Sequence, residues 1–177
     1  MVFSAIGAAF GAIGASGVTT AAVYTAVTRQ MQTLQKISAN KVFDGVLTKY
    51  SFQSKTLGGL DANLNVFLPP GASDSNKVPV LYYLAGLTCT EDNGAQKGNF
   101  LETAAKEGIA VVFPDTSPRG AKIPGEDDSY DFGSGAGFYL NASQEPWSKN
   151  YKVRAVTTVE KSCRCELSAH KFVSHCS

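Results

Sequence analysis

Charge of one sign is scarce in this chain: 16 Lys and Arg stand against 15 Asp and Glu, a net charge of +1, and only 18% of residues are charged. A general nucleic-acid binder or a protein held on an acidic membrane needs a basic field, so neither class is indicated. Phosphate-cradling loops are missing as well. No G-x-x-x-x-G-K-[ST] occurs, and Gly133-Ser134-Gly135-Ala136-Gly137 neither follows a strand pattern nor has G-x-G-x-x-G spacing. No serine has glycine two residues away on both sides, so the G-x-S-x-G nucleophile elbow is absent. What is present suits a globular fold: 44% hydrophobic and 10% aromatic residues, which argue against wholesale disorder, a collagen-like repeat or a disulfide-dense scaffold. A chain of 177 residues accommodates one domain with sequence to spare.

The two ends differ from the middle. Residues 1–35 read as an uncharged, Gly/Ala-rich extension; no charged side chain occurs before Arg29. It is long enough to span a bilayer and contains the small-xxx-small run Gly7-Ala8-Ala9-Phe10-Gly11. Alanine and glycine contribute little to transfer into lipid, so a membrane span is not expected. A basic n-region for secretion and an arginine-rich amphipathic presequence are both lacking. Residues 154–177 form a tail with Cys163-x-Cys165, His170 and His175-Cys176. Structural zinc sites space their cysteine pairs by two to four residues within an apolar-patterned unit, so no metal is expected here. The cysteines are expected to be reduced in a cytosol-like compartment, which leaves the sequon Asn141-Ala142-Ser143 without meaning.

Between the ends the pattern is that of strands and a helix. Val46, Thr48, Tyr50 and Phe52 alternate along one run, and Leu64, Val66 and Leu68 along the next, which predicts antiparallel neighbours joined by the turn-rich Thr56–Leu60. Pro69-Pro70-Gly71 ends the second strand, since proline cannot donate to a ladder. Val78 to Leu84 is a continuous apolar run and predicts a strand covered on both faces of a parallel sheet. A helix is predicted over 97–107, with Phe100, Leu101, Ala104 and Ala105 on one face and Gly108 as its stop. Ile109–Phe113 then predicts a second buried strand, and the expectation is that it leaves the exposed edge of the sheet. Strand, helix, strand makes a βαβ unit, whose ligands lie beyond the carboxyl ends of the strands. The candidate site loops are therefore Gly86–Thr90 and Pro114–Gly120.

The residues of those loops, Tyr82-Tyr83-Leu84-Ala85-Gly86-Leu87-Thr88-Cys89-Thr90 and Pro114-Asp115-Thr116-Ser117-Pro118-Arg119-Gly120, are followed by Asp131-Phe132-Gly133 and Gly135-Ala136-Gly137-Phe138-Tyr139. In that order and spacing, from roughly Lys36 to Tyr151, the chain resembles the S-formylglutathione hydrolase (esterase D) family of α/β-hydrolase thioesterases. The resemblance implies an α/β class with a truncated α/β-hydrolase fold over 36–153: N-terminal antiparallel strands plus the βαβ unit. It implies hydrolysis of a small-molecule thioester, S-formylglutathione, to formate and glutathione, without a cofactor, in the cytoplasm. Leu87, in Gly86-Leu87-Thr88, corresponds to the oxyanion-hole N–H donor of the family. Cys89 corresponds to a cysteine near the nucleophile, with a buried bystander as the alternative. Asp115, Arg119 and Asp131 are read as residues that fix loops by ion pairs and hydrogen bonds, and Trp147 as a cap over the site or a core residue.

The resemblance also implies parts that these residues do not supply. In the family, Trp147-Ser148-Lys149-Asn150-Tyr151 lead on to a serine elbow G-H-S-M-G-G and then to the triad aspartate and histidine. None of these follows, and His170 and His175 lie in a segment without a family counterpart. The chain by itself is expected to be inactive. The alternative expectation is a non-catalytic short form acting as a binding module, a homodimer formed through its sheet edge being one arrangement.

Overall fold

The computed structural model describes residues 34–154. The extension up to residue 33 and the tail with Cys163, Cys165, His170, His175 and Cys176 lie outside the described residues. Five strands form one mixed sheet: β1 (Gln35–Val42), β2 (Gly45–Ser54), β3 (Leu60–Leu68), β4 (Val80–Tyr82) and β5 (Ala110–Pro114), in the order β1-β2-β3-β5-β4. The alternation in the sequence sets the β2–β3 register. Val46, Thr48, Tyr50 and Phe52 stand opposite Leu68, Val66, Leu64 and Ala62 in an antiparallel ladder. β3 and β5 are also antiparallel, and β5 and β4 are parallel. This is the mixed sheet of an α/β-hydrolase fold with few helices.

β1 carries no sequence signal because its side chains, apart from half-buried Val42, are exposed and largely polar, as suits an edge strand with one neighbour. It turns into β2 through Phe43 and Asp44, both with positive φ (47° and 61°), the conformation that matches the twist of a two-residue hairpin.

The sheet packs on both faces. Leu64, Val66, Ala110 and Val112 form one cluster, joined by Tyr50, Phe52, Val80 and Tyr82. Phe67, Val111 and Phe113 face the other way, against Ala95, Leu101 and Ala104 of the helical layer. The near-continuous burial of β3 and β5 follows from this double cover.

Three expectations need correction. β5 is not the edge of the sheet: it pairs with β3 on one side and β4 on the other, so β4 is the outer strand among the described residues. β4 in turn is only three residues long, and Leu81 is about half exposed, so among the described residues this run is not covered fully on both faces. The predicted helix over 97–107 is helical only over Leu101–Lys106 (α2), and a separate short helix that the sequence pattern does not predict, α1 (Glu91–Lys97), precedes it. The chain breaks between them at Asn99, whose φ of 52° is left-handed. α1 has no apolar stripe to reveal it. Its start is specified by Thr90, which accepts the Asp92 N–H, while the Asn93 side chain accepts the Thr90 N–H in return. α2 ends where expected, at Gly108 with φ 66°.

Candidate active site

Parallel β4 and β5 deliver two loops to the same edge of the sheet: 83–90 after β4 and 115–120 after β5. The first is turned sharply, with the Cys89 N–H donating to the Gly86 carbonyl (3.1 Å) and Thr88 at φ 64°. A β-branched residue with positive φ is costly and persists only where its surroundings enforce it. Here the Thr88 N–H donates to the Gly135 carbonyl (2.9 Å), the Tyr139 hydroxyl donates to the Ala85 carbonyl, and the Arg119 guanidinium donates to the Cys89 carbonyl (3.0 Å). Gly86, Leu87 and Thr88 are exposed and Cys89 is half-buried. Thr88 and Cys89 have thus committed their N–H groups, whereas among the described residues nothing accepts the Leu87 N–H.

Arg119 is held for this contact by Asp115, whose carboxylate takes the guanidinium at 2.6 Å and the Ser117 N–H at 3.0 Å. Burial pushes the Asp115 carboxyl above its ordinary range, and the Arg119 charge opposes that shift without cancelling it. The Ser117 hydroxyl in the same loop is buried and has no hydrogen-bond partner among the described residues.

A second network anchors the helix that follows the first loop. Lys49 of β2 reaches Glu91 (2.7 Å) and Asp92 (2.6 Å), and the Asn65 amide donates to the Glu91 carbonyl and the Asp92 carboxylate. Desolvation acts to lower the Lys49 pKa, but the two carboxylates outweigh it and raise the ammonium above its ordinary value. For Asp92, burial acts upward and is outweighed by the bonds to Lys49 and Asn65, so its carboxyl is held low. The loop 85–90 is therefore tethered at both ends.

The loop Gly86–Cys89 and the pair Asp115–Arg119 lie side by side, joined by the bond from Arg119 to the Cys89 carbonyl. Asp131 stands apart in an exposed turn, where its carboxylate accepts the Ser129 hydroxyl. Trp147 is half-buried in neither main cluster, packing edge-on against Phe132 (4.9 Å) and Tyr151 (5.1 Å). Burial, with Glu126 close by, pushes the Tyr151 hydroxyl up to about 12. Sequence reasoning missed Gly135 and Tyr139 as partners of the first loop. They were visible only as motif members, because nothing local indicates that a segment some fifty residues away folds over Ala85 and Thr88.

The Esterase family profile matches residues 54–161, which takes in every element from the end of β2 onward. The chain belongs to the esterase family. Within this family it is 52% identical over 120 residues to an S-formylglutathione hydrolase of Arabidopsis thaliana, covering 68% of this chain and 42% of the relative. It is 46% identical over 127 residues to an S-formylglutathione hydrolase of Mus musculus, covering 72% and 44%. Among solved structures it resembles an S-formylglutathione hydrolase from Agrobacterium tumefaciens with a TM-score of 0.67 and 42% identity, over 72% of this chain and 45% of that one. The chain spans less than half the length of these esterase relatives. Among the described residues, no helix is long and apolar enough to cross a membrane.

Proposed function

We propose that residues 36–151 build the oxyanion side of an S-formylglutathione hydrolase site. In the proposed reaction water is added across the thioester: the C–S bond breaks, the carbonyl carbon leaves as formate and the sulfur takes a proton to give glutathione. The observation that supports this reading is the open Leu87 N–H at the carboxyl edge of the parallel strands, in a loop held by Gly135, Tyr139 and Arg119. Such a donor stabilises the tetrahedral intermediate when it lies roughly 2.7–3.1 Å from the developing oxyanion. Leu87 is the donor, Gly86 and Thr88 shape the turn, and Cys89 presents its carbonyl to Arg119. Cytoplasm is the proposed compartment, since it keeps the glutathione thiol reduced.

The 177 residues hold no G-x-S-x-G serine, so on this reading they supply the oxyanion side without the nucleophile and do not by themselves turn over substrate. The test has two arms, both reading formate release from S-formylglutathione. The chain alone should give none above background. A chimera in which residues 36–151 replace the matching part of the Arabidopsis relative should turn over. A folded but inactive chimera refutes the function; turnover by the chain alone refutes the division of labour.

A further inference from the structure

Residues 135–139 do more than pass near the Leu87 turn. Gly135 takes the Thr88 N–H on one side of Leu87, and the Tyr139 hydroxyl takes hold of the Ala85 carbonyl on the other. The segment is built at some cost to do so. Phe138 (φ 48°) and Tyr139 (φ 55°) are consecutive aromatic residues in the left-handed region, opposite Thr88, itself left-handed. Tyr139 is not there to fill a core, since 38% of its surface is exposed. From this bracket we infer that Tyr139 is a positioning residue: by donating to the Ala85 carbonyl, its hydroxyl fixes the direction of the neighbouring Leu87 N–H. This rests on the reading of Leu87 as the oxyanion donor, but the geometry it asserts can be measured without any turnover.

The experiment is amide hydrogen exchange on the full chain, comparing the parent with Tyr139→Phe, which keeps the ring and removes only the donor. One hydrogen bond lost from a local turn should lower protection at the Thr88 and Cys89 amides about 5-fold, with Val111 and Val112 of β5 unchanged. Unchanged protection at Thr88 and Cys89 overturns the proposal. So does an equal loss at Val111 and Val112, or a variant that fails to fold, since either would make the hydroxyl a requirement of the fold rather than an aid to aiming one group. In the active chimera, the same substitution should lower kcat about 10-fold and leave KM within about 2-fold, because the donor acts on the transition state; a change in KM alone counts against it. If the parent chimera is inactive, the function proposed above fails, and the exchange result still decides the role of Tyr139.

Discussion

Replacing Arg119 with leucine removes one partner of an ion pair whose other member cannot easily turn to water. The Asp115 side chain is 6% exposed and that of Arg119 is 36% exposed. Breaking a fully buried pair by deleting one charge costs about 3–5 kcal/mol, chiefly because the remaining charge is stranded. Arg119 is more than a third exposed, so water already screens part of the interaction, and the expected loss falls to about 2 kcal/mol. The stranded carboxylate also predicts a pH dependence. Burial already raises the Asp115 carboxyl above its unfolded value, and without the guanidinium that opposed the shift it rises further. An acid raised in this way destabilises the fold when ionised, so the deficit should be largest near pH 7 and should shrink as the pH falls through the raised value. Urea unfolding, followed by fluorescence of the single tryptophan, Trp147, measures it directly. Asp115→Asn in the Arg119→Leu background should recover about 1 kcal/mol at neutral pH, since a neutral amide is less costly to bury. A deficit independent of pH, or a double variant no more stable than the single, would refute the reasoning.

Three further outcomes are expected. In Gly133→Ala a side chain must sit at φ 79° with its Cβ 2.1 Å from the Glu126 carbonyl oxygen, so the backbone must move; a loss of about 3 kcal/mol in thermal unfolding is expected, and a loss below about 1 would show that the turn gives way easily. Ser117→Ala removes a buried hydroxyl without a partner and should be neutral or stabilising by up to about 1 kcal/mol in urea, whereas a clear loss would reveal a bond the hydroxyl makes. Lys49→Met removes a contribution that is complete between the ordinary values of 3.8 for the carboxyl and 10.5 for the ammonium, lost as pH falls through the lowered Asp92 value or rises through the raised Lys49 value. The stability difference between this variant and the parent should therefore be flat from about pH 5 to 9 and narrow outside that range; a monotonic change across the range would contradict the network.

The parts of the fold legible in the sequence are those where burial wrote a period. The alternation of β2 and β3 marks the face on which Tyr50, Phe52, Leu64 and Val66 share one cluster, and their register follows it, although Leu47 and Phe67 meet a second cluster on the other face. β5 was legible as an unbroken apolar run, and it is buried throughout. The same signal misled at Val78–Leu84, because an apolar run does not say what covers each face of a strand: among the described residues β4 is the outer strand and Leu81 is about half exposed. β1 and α1 left no apolar trace: the first is exposed, and the second is set by the Thr90 cap and the charges of Glu91 and Asp92 rather than by a stripe. Of the site, the loop residues Gly86–Cys89 and the pair Asp115–Arg119 could be placed from the strand order and the resemblance. The Tyr139 and Gly135 bonds could not, since they depend on how residues 133–140 fold back over a loop distant in sequence.

The proposed catalysis depends on the Leu87 N–H being aimed at the reacting carbonyl. The turn that aims it has Thr88 at φ 64° with its N–H on the Gly135 carbonyl, and Thr88→Pro denies both, because proline holds φ near −65° and has no N–H. The decisive measurement is kcat for S-formylglutathione in the chimera carrying residues 36–151, with and without this substitution. A loss of about 100-fold or more in a chimera that remains folded is the expected result. A folded Thr88→Pro chimera with the turnover of its parent would show that the Leu87 turn is not the oxyanion site.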